Sequence, residues 1–269
     1  ESTLKITDDE GSLYRVPVRA RKTLDTSGLW VGLVVLDAVS EAGATADPVT
    51  PKPAASEFRF RLILHRDDAD TPVANLLQHV TVMQVQEQTF DDPDNPGEQT
   101  TTPARYVLLT DDSLIPQYEG VSTRNGVIVG RRISSPAFSF QTPVELARDP
   151  GNSDSYAGTV TVPYDDPLNP FVHTYHPDHN NLNENYAPFI NGSGEDVSDG
   201  QEAWTFTRTV TLTFTEDDPE RLGDVAWGYD LIGGTYEETI SGVHTRDIHV
   251  QGTFRLNRVS TVATLNDQL

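Results

Sequence analysis

The chain has 269 residues, with 41 acidic side chains against 19 basic ones, a formal charge of −22 and 36% hydrophobic residues. A chain this acidic repels polyphosphate and carries no lysine- or arginine-rich segment, which argues against nucleic-acid partners. The longest apolar run, Leu29 to Val39, contains Gly32 and Asp37 and falls short of the roughly 20 residues of a membrane-spanning helix, while the absence of cysteine excludes disulfides and thiolate metal sites.

Period-two alternation organises most of the chain, and that period places side chains on two sheet faces. From the N terminus, Leu13–Ala20 and Leu29–Val39 read as strands. In Glu57–His65 the residues Phe58, Phe60, Leu62 and Leu64 share a face. Leu76–Gln86, Arg105–Thr110, Val127–Ile133 and Gly158–Val162 follow. The cleanest pattern is Ala203–Thr215, where Trp204, Phe206, Arg208, Val210, Leu212 and Phe214 lie on one face and threonine occupies every odd position from Thr205 to Thr215. Thr235–Ser241 precedes a last strand with Ile248, Val250, Gly252, Phe254 and Leu256 on one face, which brings the count to about ten. Helical signals are confined to single turns at Thr142–Ala147 and Glu216–Leu222.

These elements predict an all-β fold, an antiparallel β-sandwich with long loop insertions. A closed β-barrel is the alternative, since it also gives each strand an inner face and removes edges. Residues 1–269 read as one β domain with a long insertion at about 165–200. Ser40–Pro53 and Asp91–Pro103 are further long connections. Loops of this length are where a site is sought.

The densest chemistry lies in Asn169–Asn181, which holds His173, His176, Asp178 and His179. Imidazole and carboxylate together suit zinc or another divalent transition ion. The run approaches the His-x-His-x-Asp-His motif of the metallo-β-lactamases, but Thr174 stands where that motif needs its first histidine, and the strand–helix alternation of that fold is missing. The simpler reading is a proline-bent loop whose histidines bond to backbone and neighbouring acids. Three acidic loops offer oxygen donors for calcium: Asp67, Asp68 and Asp70; Asp91, Asp92, Asp94 and Glu98; and Glu195, Asp196 and Asp199. Asp92 and Asp94 are the ligand candidates among them, although such charge runs are usually just solvated. The expected cofactor is therefore calcium or another divalent cation, with no organic cofactor.

No hydrolase elbow, His-Glu-x-x-His, phosphate loop or dinucleotide fingerprint is present, and no enzyme is expected. The threonine row suits a repetitive surface such as ice or a polysaccharide, or a plain solvent-facing strand. Trp30 and Trp204 are in phase with core positions. Trp227, in Ala226–Asp230, is the ring placed to meet a sugar. Arg208 and Arg258 fall on apolar faces and need acidic partners, for which Asp37 and Glu238 are the candidates.

Gly28-Leu-Trp-Val-Gly32, Phe60-Arg-Leu-Ile-Leu-His65, Asn169–His179, Gly233–Gly242 and Gly252-Thr-Phe-Arg-Leu256 span much of the chain. Together they resemble segments of large exported bacterial surface proteins built from uncharacterised β modules. The resemblance implies secretion and a surface or assembly role, without an assigned activity. Three lysines against sixteen arginines, and a start at Glu1 that fits a mature form or an excised fragment, point to the same extracellular or cell-surface setting. The expectation is an exported structural or adhesive surface module, a subunit of an extracellular fibre assembled by strand addition with Ser2–Asp8 as donor. Its partners would be copies of itself or neighbouring modules. The alternative is a carbohydrate-binding module with glycan partners, and after it a metal-dependent hydrolase.

Overall fold

The computed structural model describes residues 2–7, 13–18, 25–41, 47, 49–69, 73–92, 95–138, 140, 142–163, 166–170, 173–174, 201–202, 205–220, 222–244 and 246–267, the stretches 2–7, 13–18, 173–174 and 201–202 by backbone only. In chain order the strands are β1 (Ser2–Thr7), β2 (Leu13–Val18), β3 (Gly28–Val39), β4 (Lys52–Arg66), β5 (Ala74–Leu76), β6 (His79–Val85), β7 (Gln88–Asp91), β8 (Gln99–Thr102) and β9 (Arg105–Leu109). A 3-10 turn, Asp112–Gln117, comes next. It is followed by β10 (Ser122–Arg124), β11 (Val127–Val129), β12 (Arg131–Ser134), β13 (Val144–Asp149), β14 (Asn152–Val162), β15 (His173–Thr174), β16 (Gln201–Glu202), β17 (Phe206–Phe214), β18 (Leu231–Ser241) and β19 (Ile248–Ser260).

Eight strands close into an antiparallel barrel in the order β3, β4, β5, β13, β14, β17, β18, β19 and back to β3. Of the two all-β architectures the sequence allows, the chain takes the barrel. Each barrel strand pairs with the next barrel strand along the chain, and β19 returns to β3 from Leu29 opposite Ser260 to Val39 opposite Val250. The seam is short. Leu76 of β5 pairs with Leu64 on one side and Val144 on the other. The helical turn expected at Thr142–Ala147 is instead the start of β13, because closure needs a strand there and Leu146 alternates inward. Glu216–Leu222 likewise forms bends and turns rather than a helix in its described residues.

Apolar side chains fill the interior. Trp30, Phe60, Leu62, Leu64, Tyr156, Val210, Leu212, Tyr236, Phe254 and Leu256 belong to one buried cluster. Phe138, from the segment after β12, enters the same cluster and stands edge-on to Phe60 at 5.4 Å. Gly32 faces inward beside these rings. A methyl group added to it would overlap the carbonyl oxygen of Arg255 on β19, so glycine is what permits the strands to coil this closely. The outer wall carries Arg59, Arg61, Thr159, Thr161, Thr209, Thr235, Glu237 and Gln251, all exposed. That polarity is the reverse of a lipid-facing barrel, whose outside is apolar and whose lumen is polar. Among the described residues no helix is long and apolar enough to cross a membrane.

A three-stranded sheet, β12-β6-β9, covers part of the wall. Leu29 and Ile63 face outward from the barrel there and pack with Leu77, Val80, Leu108 and Ile133. This is why Leu62, Ile63, Leu64 and His65 are all buried: β4 has a core on each side. The far face of the small sheet packs Met83, Val107 and Leu109 against Leu114 and Tyr118 of the 3-10 turn region. The chain's last described residues strap this sheet down. Asn266 accepts from the Thr110 amide at 2.8 Å, and Arg105 pairs with Asp267. The predicted connection Asp91–Pro103 begins at the last residue of β7 and holds the turn and second strand of the β7–β8 ribbon, and Asn125-Gly126, both with positive φ, turn β10 into β11.

Candidate functional site

Most of the sequence-predicted metal ligands lie outside the described residues. His176, Asp178, His179 and Asp94 are among these, and His173 is described by its backbone alone, pairing with Glu202. The expected insertion at about 165–200 falls largely in the same stretch. Asp92 is described. Its carboxylate accepts from the Asn95 amide at 3.2 Å and the Thr100 hydroxyl at 3.3 Å, which ties the β7–β8 turn together. Asp67 performs the same local service, accepting from the Val73 amide at 3.0 Å. Among the described residues no three His, Asp or Glu side chains converge as a metal ion would require.

The threonine row forms a site of another kind. In β17 the even positions Phe206, Val210 and Leu212 are buried in the barrel, which leaves Thr207, Thr209, Thr211 and Thr213 on the outer wall. Register then aligns hydroxyls across four strands. Thr159 of β14 lies opposite Thr209, which lies opposite Thr239 of β18; Ser155, Thr213, Thr235 and Thr253 of β19 form a second row; Thr161, Thr207 and Ser241 form a third. Neighbouring strands are about 4.8 Å apart and successive rows on one face about 7 Å. The Thr207 and Thr209 rows are adjacent, while the Thr213 row, whose Ser155 is buried, is set off from them by the row Ala157, Thr211, Glu237 and Gln251. The hydroxyls of Thr159 and Thr209 are 3.0 Å apart, and Thr213 donates to Ser155 at 3.2 Å, so the lattice is partly bonded to itself and held in register. On its β19 side a shallow depression of about 210 Å³ runs beneath Val49 and Pro51, lined by Thr209, Thr211, Glu237 and His249. Gln251 donates to Glu237 at 3.1 Å, and His249 shares a hydrogen bond with Thr239 at 3.0 Å.

Inside the wall the same strands hold a polar cluster. Arg208 forms a two-pronged ion pair with Glu238, its Nη2 3.1 Å from Oε2, and Tyr236 donates to that oxygen at 2.7 Å. Arg208 also donates to the Ala137 carbonyl and lies 4.5 Å from the Phe138 ring centre. Burial opposes its charge, but Glu238 outweighs it and holds the guanidinium above its ordinary value. Burial, with Glu238 alongside, pushes the Tyr236 phenol well up. The partners are saturated and enclosed, which suits fixing the barrel's register rather than chemistry on a substrate. The sequence pairing of Arg208 with Glu238 therefore holds. Arg258 takes another course, donating to the Asp25 carbonyl and lying 4.8 Å from the Trp30 ring, while Asp37 sits exposed at a bulge between Leu36 and Ala38.

The rings proposed for a sugar platform are scattered. Trp30 is fully buried, its indole donating to the Thr26 carbonyl at 2.9 Å. Trp227 lies over Gly233 with Arg255 near its face, and Tyr229 is exposed. Trp204, Tyr175 and Tyr186 are outside the described residues.

No protein-family model and no curated protein matches the chain. Among solved structures it is similar to the monomer form of the M. tuberculosis PknI sensor domain, at 8% identity and a TM-score of 0.29, over 90% of this chain and 93% of that one.

Sequence reading found one column of the lattice and missed its neighbours. Thr159, Thr161, Thr235 and Thr239 sit in segments recognised as strands, but which strands are adjacent is decided by long-range pairing. The signal available was composition: threonine recurs at alternate positions in Gly158–Val162 as it does in β17, and Thr235, Thr239 and Ser241 fall in the same phase with Glu237 between them.

Proposed function

We propose that the chain is an exported, non-catalytic structural or adhesive β module whose contact face is the outer wall of β14, β17, β18 and β19, and that this face binds a neutral polysaccharide. The observation that supports the reading is the lattice itself. Its hydroxyl rows present uncharged donors and acceptors on a chain of charge −22, aligned by sheet register and interrupted by one row that carries Glu237 and Gln251. The interior offers no comparable site, because its described positions are occupied by packed side chains. Repetition favours a repetitive partner, since each added strand row meets another equivalent group. Fibre assembly by strand addition finds no open edge in the closed wall, and Ser2–Thr7, the described part of the proposed donor Ser2–Asp8, pairs with Leu13–Val18. The edges left for a neighbouring module are those of the smaller sheets, β9 and β12 among them.

The test is co-sedimentation with insoluble neutral polysaccharides, cellulose and chitin among them, with a Thr159→Lys, Thr235→Lys variant as control. Both positions are exposed and on separate strands, so the variant should melt within about 2 °C of the parent. Binding should fall about tenfold or more, equivalent to about 1.4 kcal/mol. Parent protein that stays in the supernatant with every polysaccharide, or a variant that binds as well as the parent, would overturn the reading.

A further inference from the structure

A second place on the molecule has the shape and chemistry of a small-ligand site, remote in kind from the flat wall. Where the small sheet meets the barrel, a cleft of about 600 Å³ opens between His79 of β6, Asp112 of the 3-10 turn, Arg132 of β12, Thr142 just before β13 and Leu168 after β14. The volume lies within the span typical of ligand pockets, about 300–1,000 Å³. Its polar groups stand on paired strands and a capped turn. Arg132 is opposite Thr81 in the sheet, His79 is opposite Ser134, and Asp111 caps the turn by accepting from the Ser113 amide at 2.9 Å.

Asp112 is the centre of the arrangement. One carboxylate oxygen is 3.8 Å from His79 Nε2 and the other 3.4 Å from Arg132 Nη1. Arg132 donates to Asp112 in a long hydrogen bond, and the two side chains are 55% and 52% exposed, so the remaining donors of the guanidinium and lone pairs of the carboxylate are open to the cleft. The Gln78 side chain accepts from the Phe140 amide at 3.2 Å through its oxygen, which turns its amide nitrogen to other use. Asp111 and Asp112 against Arg132 leave the cleft one net negative charge, which disfavours an anionic ligand. Planar carboxylate, guanidinium, imidazole and amide groups bind adjacent hydroxyls in pairs, and Leu168 and Pro143 supply an apolar surface for the C–H face of a ring.

We infer that this cleft binds one or two residues of a neutral saccharide. The site shares no side chain with the threonine wall, and the two readings fail separately. Calorimetric titration of the full chain should use neutral mono- and disaccharides (glucose, galactose, mannose, N-acetylglucosamine, cellobiose, maltose), with glucuronate and a zwitterionic amino acid as charged probes. Saturable binding of a neutral sugar is expected, weakened about tenfold or more by Asp112→Ala and by Arg132→Ala. It should be unchanged in the Thr159→Lys, Thr235→Lys variant. Both cleft substitutions are at half-exposed side chains, and unaltered melting would show that the fold survives them. The inference is overturned if no neutral sugar binds, if binding survives both cleft substitutions, or if glucuronate or the zwitterion binds more tightly than every neutral sugar.

Discussion

Replacing Glu238 by glutamine tests the polar cluster inside the barrel wall. The Arg208 and Glu238 side chains are 13% and 2% exposed, and Glu238 serves both the guanidinium and the Tyr236 hydroxyl. Glutamine keeps the volume and one acceptor oxygen but removes the counter-charge, and its NH2 group faces donors, Arg208 or the Tyr236 hydroxyl, where a carboxylate oxygen had accepted. Breaking a buried pair from one side costs about 3–5 kcal/mol. For a chain near this size each kcal/mol moves the midpoint by about 2–4 °C, so Glu238→Gln should melt roughly 10 °C below the parent. Replacing both partners, Arg208→Met with Glu238→Leu, removes the two desolvated charges together and should recover part of that loss, the Tyr236 hydroxyl and Ala137 carbonyl being left without these partners. Thermal melts followed by circular dichroism, with urea titration to compare slopes, supply the measurement. A single variant within about 2 °C of the parent, or a double variant as damaged as the single one, would refute the view that the pair is buried and mutually dependent.

His65 is 2% exposed, its Nε2 3.0 Å from the Val262 carbonyl and its Nδ1 without a partner, and burial lowers its pKa. The unfolded chain takes up a proton near pH 6.5 that the folded chain refuses, so stability should fall as pH drops below that value, by at most about 1.4 kcal/mol per pH unit from this group. Melting points measured from pH 7.5 to 5.5 should show a shallower dependence in His65→Gln, and an identical slope in the two proteins would dismiss the histidine as the cause. At Gly32, alanine would drive its methyl group into the Arg255 carbonyl; a loss of about 3 kcal/mol or more in urea unfolding is expected, and a neutral result would mean that the strands part there without cost.

How the strands face was legible from local alternation; how they close was not. Phe206 to Phe214 and Val250 to Leu256 announce their buried faces because water touches one side only, whereas Phe58, in phase with Phe60 and Leu62, is 61% exposed beyond the end of the core. The first third of β4, from Lys52 to Glu57, is nearly all exposed and has no alternation to read. β5 is three residues long, and β13 contributes two apolar positions that fit a helical turn equally well. Closure rests on those weak segments, so sandwich and barrel looked alike from the sequence. The double burial of Ile63 and His65 had a trace in the run Leu62-Ile-Leu-His65, where alternation gives way to continuous apolarity under the small sheet. For the contact face, the composition of β17 was visible, whereas the matching hydroxyls of β14 and β18 became one surface only through pairing that spans some 30 to 50 residues of chain, as in Thr209 with Thr239 and Thr159.

The return of β19 to β3 places Gly28 and Ser260 side by side at the same end of the barrel. If tension reaches the barrel through its flanking segments, it loads these two strands at one rung and peels them apart in zipper fashion, instead of shearing all their hydrogen bonds together. The strap from Val262 to Asp267 must detach before that rung feels the pull, so His65, Thr110 and Arg105 act as a first latch. The barrel would therefore open strand by strand from this rung under modest load, and close again when released.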